Sequence, residues 1–299
     1  MPQGQDPMLA RRRLRDALRR HREQAGFTQR EVAEEMDWSP SKLIRIEAGQ
    51  VAVSTTDLRA LLQHYGVTDP EQTAALVALS RTARERAWWS AYQSVASIEF
   101  RQFLGFESSA SIIRNFEPLV VPGLLQTREY AREVLVAEGN GPRVDEMVEL
   151  RMERQELLTR EDAPELHFIL GQGVVERAVG GPQLMRRQLR HIMGIAEYPN
   201  VSVRVVPWSA GLYPNYRLAY VVFEFPDAAD PAVLYVEGAS EMISREGAQD
   251  TDPNDFLAAF WEVEQLAPKH LTAERVQAAF DRMGENEFRD QEVDAAQGD

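Results

Sequence analysis

The stretch from Thr28 to Gly49 constrains the fold more than any other part of the chain. Thr28 followed three residues later by Glu31 forms a capping box, each side chain satisfying the other's backbone N–H, so a helix starts at Gln29. Val32, Ala33 and Met36 keep helical spacing, and the helix stops near Asp37. Ser39-Pro40 is a second start signal, an N-cap with proline at the first helical position. The helix it opens directs Leu43, Ile44 and Ile46 inward and ends at Gly49. Two capped helices joined by a tight turn, with small Ala33 allowing close approach, make a helix-turn-helix.

The flanks extend this into a domain. Leu14, Ala17 and Leu18 follow helical spacing from Met8 to Ala25, and Gly26 ends that helix. Ser54 with Asp57 opens a helix over Leu58, Leu61 and Leu62 to Gly66. Asp69-Pro70 with Gln72 opens a fifth, running past Leu76 and Leu79 to about Trp88. Five short helices predict an all-α domain over residues 1–88, its first seven residues polar and disordered.

The period then changes. Residues 89–115 read as an amphipathic connector holding Phe100, Phe103 and Phe106, broken by Pro118 and Pro122-Gly123. Helices are expected at Thr127–Ala137, Val144–Thr159 and Pro182–Glu197. Alternation at Leu166, Phe168 and Leu170 and at Val201, Val203 and Val205 predicts strands, as do Leu218–Phe225 and Val233–Val236. Asp252-Pro253 and Thr272 open two last helices, and residues 285–299 form a disordered acidic tail. The fold class is α+β: an all-α five-helix domain, then a mixed α/β signal or partner domain over 116–284 with a small sheet of about four strands.

Charge is divided unevenly. The chain carries a net −14, but residues 1–66 hold eleven Arg and Lys against nine Asp and Glu, and residues 8–25 hold seven Arg against two acids. A basic patch on an acidic chain is an electrostatic footprint for phosphate. In the second helix of the motif, Ser41, Lys42 and Arg45 lie near one outward face, where the first turns of such a helix reach base edges in the major groove. Gln29 sits at a helix start whose free N–H groups favour phosphate. Arg30, Ser39 and, on the basic first helix, Arg12 and Arg13 complete the expected set of contacts to double-stranded DNA.

Other chemistry has little support. No cysteine is present, so no disulfide, thiol nucleophile or cysteine zinc site is possible. His21 and His64 fall in the helical domain, while His167, His191 and His270 are scattered without metal-ligand spacing. Gly211-Leu-Tyr-Pro is not a nucleophile elbow, and Glu224 and Glu237 are a weak acid–base signal. Gly180-Gly181-Pro182 reads as a turn before a helix rather than a nucleotide loop. No cofactor, no metal and no enzymatic activity are expected. Without a secretory signal or a span long enough to cross a bilayer, a cytoplasmic protein is expected.

The set Thr28-Gln29, Ala33, Ser39 to Ser41 and Ile46-Glu47-x-Gly49 resembles the Xre/Cro family of helix-turn-helix repressors over residues 9–88. That resemblance implies DNA contacts at Gln29 and Ser41, reading positions at Lys42 and Arg45, and a partly buried ion pair between Arg22 and Glu47. Pro40 stands where the family often has glutamine, so that base contact is lost.

The run Phe116 to Arg132, Arg151-Met-Glu-Arg-Gln155, Val179-Gly-Gly-Pro182 and Pro199-Asn-Val resemble the C-terminal domain of WhiJ-like regulators of actinobacteria, over residues 100–285. It implies control of development or specialised metabolism through a small acidic partner protein or a small-molecule effector, some members being antitoxin-like. Gln172 stands where related domains carry an acid. Gln126 and Tyr130 at the proline bend, with Trp208, Tyr213, Tyr216 and Tyr220, are the candidate ligand or partner residues, with packing the competing role. A homodimeric regulator is expected, and the rival is a module that neutralises a partner protein.

Overall fold

The computed structural model describes residues 7–227, 230–237, 242–245 and 251–297. It divides into two compact units, one comprising the chain up to Ser90 with Leu104–Ser109, the other Ala91–Phe103 with the chain from Ala110 onward.

The first unit contains α1 (Pro7–Gln24), α2 (Gln29–Glu35), α3 (Pro40–Glu47), α4 (Thr55–His64) and α5 (Pro70–Thr82). Its caps follow the sequence signals. Thr28 Oγ1 accepts from Glu31 N at 3.2 Å, and Glu31 returns a bond to Thr28 N at 2.8 Å. Ser54 caps α4 and Asp69 caps α5. Ser39 occupies the N-cap of α3 but makes no capping bond; its hydroxyl lies 3.1 Å from that of Ser41. Asp37 takes the left-handed conformation in the turn between α2 and α3, at φ 54°, which the short side chain of Asp tolerates. Gly49, at φ 71°, closes α3: Gln50 N reaches back to Arg45 O at 2.9 Å. Leu14, Leu18, Val32, Leu43, Ile46, Leu58, Leu61 and Val77 share one core. α5 ends at Thr82, short of Trp88, where a 3-10 turn (Trp88–Tyr92) begins.

The second unit is built on a six-stranded mixed sheet, two strands more than the alternation predicts. Its strands are β1 (Ile112–Glu117), β2 (Glu165–Gly171), β3 (Val201–Val206), β4 (Tyr220–Glu224), β5 (Val233–Val236) and β6 (Met242–Arg245), in the order β3-β2-β1-β4-β5-β6. β1, β2 and β3 run parallel, while β4, β5 and β6 pair antiparallel. The parallel crossovers are helical: α7 (Arg128–Ala137) and α8 (Val144–Arg154) from β1 to β2, then α9 (Gln172–Glu176) and α10 (Pro182–Ile195) from β2 to β3.

The expected connector at 89–115 is therefore corrected. It holds α6 (Ile98–Ser109) and most of β1, a central strand. β1 breaks the apolar rule because its polar groups find partners within the sheet. Arg114 Nε donates to Glu224 at 2.8 Å, and Asn115 Nδ2 to Tyr220 O at 3.1 Å.

One sheet face packs Phe116, Ile169, Tyr220, Val222 and Leu234 against Phe256, Phe260 and Val263 of α11 (Pro253–Leu266). Edge strand β3 is covered by α12 (Lys269–Gln297): Thr272 Oγ1 accepts from Val205 N at 3.2 Å, and Arg275 donates to Val205 O at 3.0 Å. α12 starts three residues before Thr272. The tail expected to be disordered from 285 continues this helix to Gln297, and residues 298–299 lie outside the described residues.

Candidate functional site

The outward face of α3 is the best-formed candidate. Leu43 and Ile46 anchor the helix in the core, fully buried and 4% exposed, which turns Ser41, Ile44 and Arg45 to the surface. Ile44 was expected inside; it is 48% exposed, because a residue between buried positions i and i+3 points away from both. Arg45 is exposed, and among the described residues its guanidinium has no ion pair or hydrogen bond. Ser39 and Ser41 are exposed beside it.

Lys42 is placed differently from expectation. Its ammonium sits 3.6 Å from the centroid of the Trp38 ring and 3.2 Å from an Asp57 oxygen. The ammonium is thus shared between an aromatic face and a carboxylate, with the side chain 38% exposed.

The expected ion pair is formed. Arg22 presents a fork to Glu47, Nε to Oε1 at 2.7 Å and Nη2 to Oε2 at 3.0 Å, with side chains 9% and 3% exposed. Arg22 Nη1 also donates to Phe27 O at 2.9 Å, and bonding to Glu47 raises the Arg22 pKa further. Gln29 joins this network, donating from Nε2 to Glu47 Oε2 at 2.7 Å. The pair ties the end of α1 to the end of α3, and Gln29 ties the start of α2 to both.

Of the remaining expected contacts, Arg30 is exposed and pairs with Glu34 at 2.8 Å. Arg13 is half-buried. Arg12 is corrected: it is 4% exposed, lies 5.9 Å from the Phe106 ring centroid within the same unit, and faces inward rather than towards a phosphate.

In the second unit the proline bend is locked from four directions. Gln126, 2% exposed, donates to Val121 O at 2.7 Å and accepts from Arg151 Nη1 at 2.8 Å. The Tyr130 hydroxyl, fully buried, accepts from Val121 N at 3.1 Å. Gln188 bonds both Leu125 O and Thr127 N, and Gln155 bonds Gln126 O at 2.6 Å. Gln126 and Tyr130 are thus engaged inside the fold and offer nothing to a ligand directly.

The aromatic candidates split. Tyr220 belongs to the sheet core, and burial raises its pKa. Tyr213 stacks edge-on against Phe116 at 5.8 Å and against Tyr216 at 6.3 Å, so these three rings run from core to surface. Trp208 stands apart, 67% exposed, with Nε1 donating to Glu176 at 2.9 Å. Gln172 accepts from Trp208 N at 2.9 Å, the position where an acid was expected from the resemblance. A Cβ at Gly173 would lie 3.0 Å from the Trp208 ring, so a side chain there would push the indole aside.

Glu117 was not singled out by sequence. It is 6% exposed at the end of β1, and among the described residues its Oε2 has no hydrogen-bond partner. Burial, then the charge of Glu237, push its pKa well above the usual carboxylate range. In the unfolded chain this group ionises near its ordinary pKa, so its contribution to stability is complete below that value. It is lost as pH rises towards the folded value. Glu117→Gln is expected to stabilise the second unit by about 1–3 kcal/mol at pH 8 and to change little at pH 4, measured by denaturant unfolding at both pH values. Equal effects at the two pH values would show that Glu117 titrates normally.

Among the described residues, no group of three or more His, Asp and Glu could hold a metal ion. Nor is any described helix long and apolar enough to cross a membrane. No curated protein and no solved structure matches the chain. Residues 13–76 match a model of a helix-turn-helix domain, HTH_31, a non-catalytic regulatory type, in agreement with α1 to α5. Residues 100–271, more than half of the chain, match the domain of unknown function DUF5753, which spans α6 to the start of α12. The chain therefore belongs to the DUF5753 family, with a DNA-binding type of helix-turn-helix domain preceding the family domain.

Proposed function

We propose that this protein is a sequence-specific regulator of transcription that binds double-stranded DNA as a homodimer. The observation that carries the reading is the α3 face: Ser41, Ile44 and Arg45 project from a helix pinned by Leu43, Ile46 and the Arg22–Glu47 pair. Arg45 supplies a bidentate donor for guanine or a cation for phosphate, Ser41 a hydroxyl, and Ile44 an apolar surface that fits a thymine methyl. Lys42 supports α3 rather than reading bases. In this reading residues 1–88 bind DNA in the cytoplasm and the domain over residues 116–284 receives the signal. The resemblance to WhiJ-like actinobacterial regulators supports control by a small partner protein or an effector, in development or specialised metabolism.

The test is footprinting of the full chain on its own promoter region over a salt series. A protected palindrome is expected, with half-sites about 34 Å apart and a steep negative salt slope. A complex with a partner protein, without protection at any salt, would favour the neutralising module instead.

A further inference from the structure

The second unit contains a cavity of about 660 Å³, a size that takes organic ligands rather than single ions. None of the expected ligand residues lines it. Its wall comes from the Ser94–Phe100 segment, from the turn and helix around Arg143 to Arg151, and from the end of β5. Both charge signs are present. Arg143 stands exposed at its edge, and among the described residues that guanidinium has no partner. Arg151 lines the interior, held by Gln126 and more loosely by Glu138, 3.4 Å away.

Burial of the Arg151 guanidinium lowers its pKa. The acids are Glu138 and Glu237. Glu117, its buried Oε2 unpartnered among the described residues, adjoins the same place: the charges acting on it are Glu237, Arg151 and Glu138, all lining the cavity. Between the charged groups the wall mixes apolar Phe100, Met147 and Leu150 with polar Ser94, Ser97 and Asn140.

An anion alone would meet the carboxylates, and a cation alone would meet two guanidinium groups. A ligand carrying both charges satisfies each set, and an apolar body covers the apolar part of the wall. We propose that this cavity binds a small zwitterion, a molecule bearing an ammonium and a carboxylate on a short apolar frame, of dipeptide size. The inference deepens the regulator reading by naming the chemistry of the signal, and rests on that reading only for the effect on DNA.

The test uses calorimetric titration of the full chain with leucyl-leucine, its methyl ester and its N-acetyl derivative. The dipeptide is expected to bind, with each blocked form at least tenfold weaker. Arg143→Gln is expected to weaken the dipeptide about tenfold and leave the methyl ester unchanged, because only the carboxylate partner is removed. Arg143 is exposed, so this variant keeps the fold, which circular dichroism checks. Absence of binding, equal binding of all three compounds, or an unaltered Arg143→Gln variant would overturn the zwitterion site. Binding of one blocked form as tightly as the dipeptide would overturn it in favour of a single-charge ligand. Footprinting of the unsubstituted chain separates the two readings: operator protection without dipeptide binding leaves the regulator standing and removes this site.

Discussion

Arg45→Glu is expected to weaken operator binding about a hundredfold or more while leaving the fold intact. A bidentate arginine contact carries about 1–3 kcal/mol of base discrimination, and reversal adds repulsion from phosphate. The side chain is exposed and unpartnered among the described residues, so its replacement disturbs no internal contact. Lys42→Gln, three residues earlier on the same helix, is expected to weaken binding less than about threefold, since its charge already answers Trp38 and Asp57. Equilibrium titrations of a labelled operator at two salt concentrations check both. Arg45→Glu should also flatten the salt slope if the arginine neutralises a phosphate. Equal losses from the two variants would place Lys42 in the groove and contradict its docking on Trp38.

Much of the first unit was legible because its signals are local. A capping box, an N-cap before proline and a left-handed closing glycine each act within four residues, and α2, α3, α4 and α5 begin where those signals lie. What misled depends on distant residues. Arg12 reads as one more surface arginine until Phe106 is brought beside it. Lys42 reads as a groove contact until Asp57, fifteen residues on, pairs with its ammonium.

In β1 the polar residues Arg114, Asn115 and Glu117 conceal a central strand, because the partners of the first two, Glu224 and Tyr220, come more than a hundred residues later. Gln126 and Tyr130 were legible as residues at a bend. That their polar atoms are committed to Val121 and Arg151 follows only from the tertiary fold. The Arg151 cavity was illegible for the same reason, since its wall is drawn from three separate stretches of chain.

Breaking the Arg22–Glu47 pair from one side is expected to destabilise the helical unit strongly. Arg22→Ala is expected to destabilise that unit by about 3–5 kcal/mol, because it leaves a carboxylate that is 3% exposed with Gln29 as its one remaining donor among the described residues. Glu47→Ala should cost a similar amount by stranding the guanidinium. Replacing both together, Arg22→Met with Glu47→Leu, should cost less than either single change, since no buried charge is left alone and the volume is kept. The two-unit chain need not unfold in one step, so amide hydrogen exchange in peptides from α1 and α3 is the measurement. Losses below about 1 kcal/mol would match a solvated surface pair and contradict the burial seen here. If the pair does carry this energy, operator affinity falls with it in the single variants, because the angle of the reading helix depends on Glu47 at its last turn. Arg45→Glu, by contrast, loses DNA without losing exchange protection, and that difference separates the residue that reads from the pair that holds the reader in place.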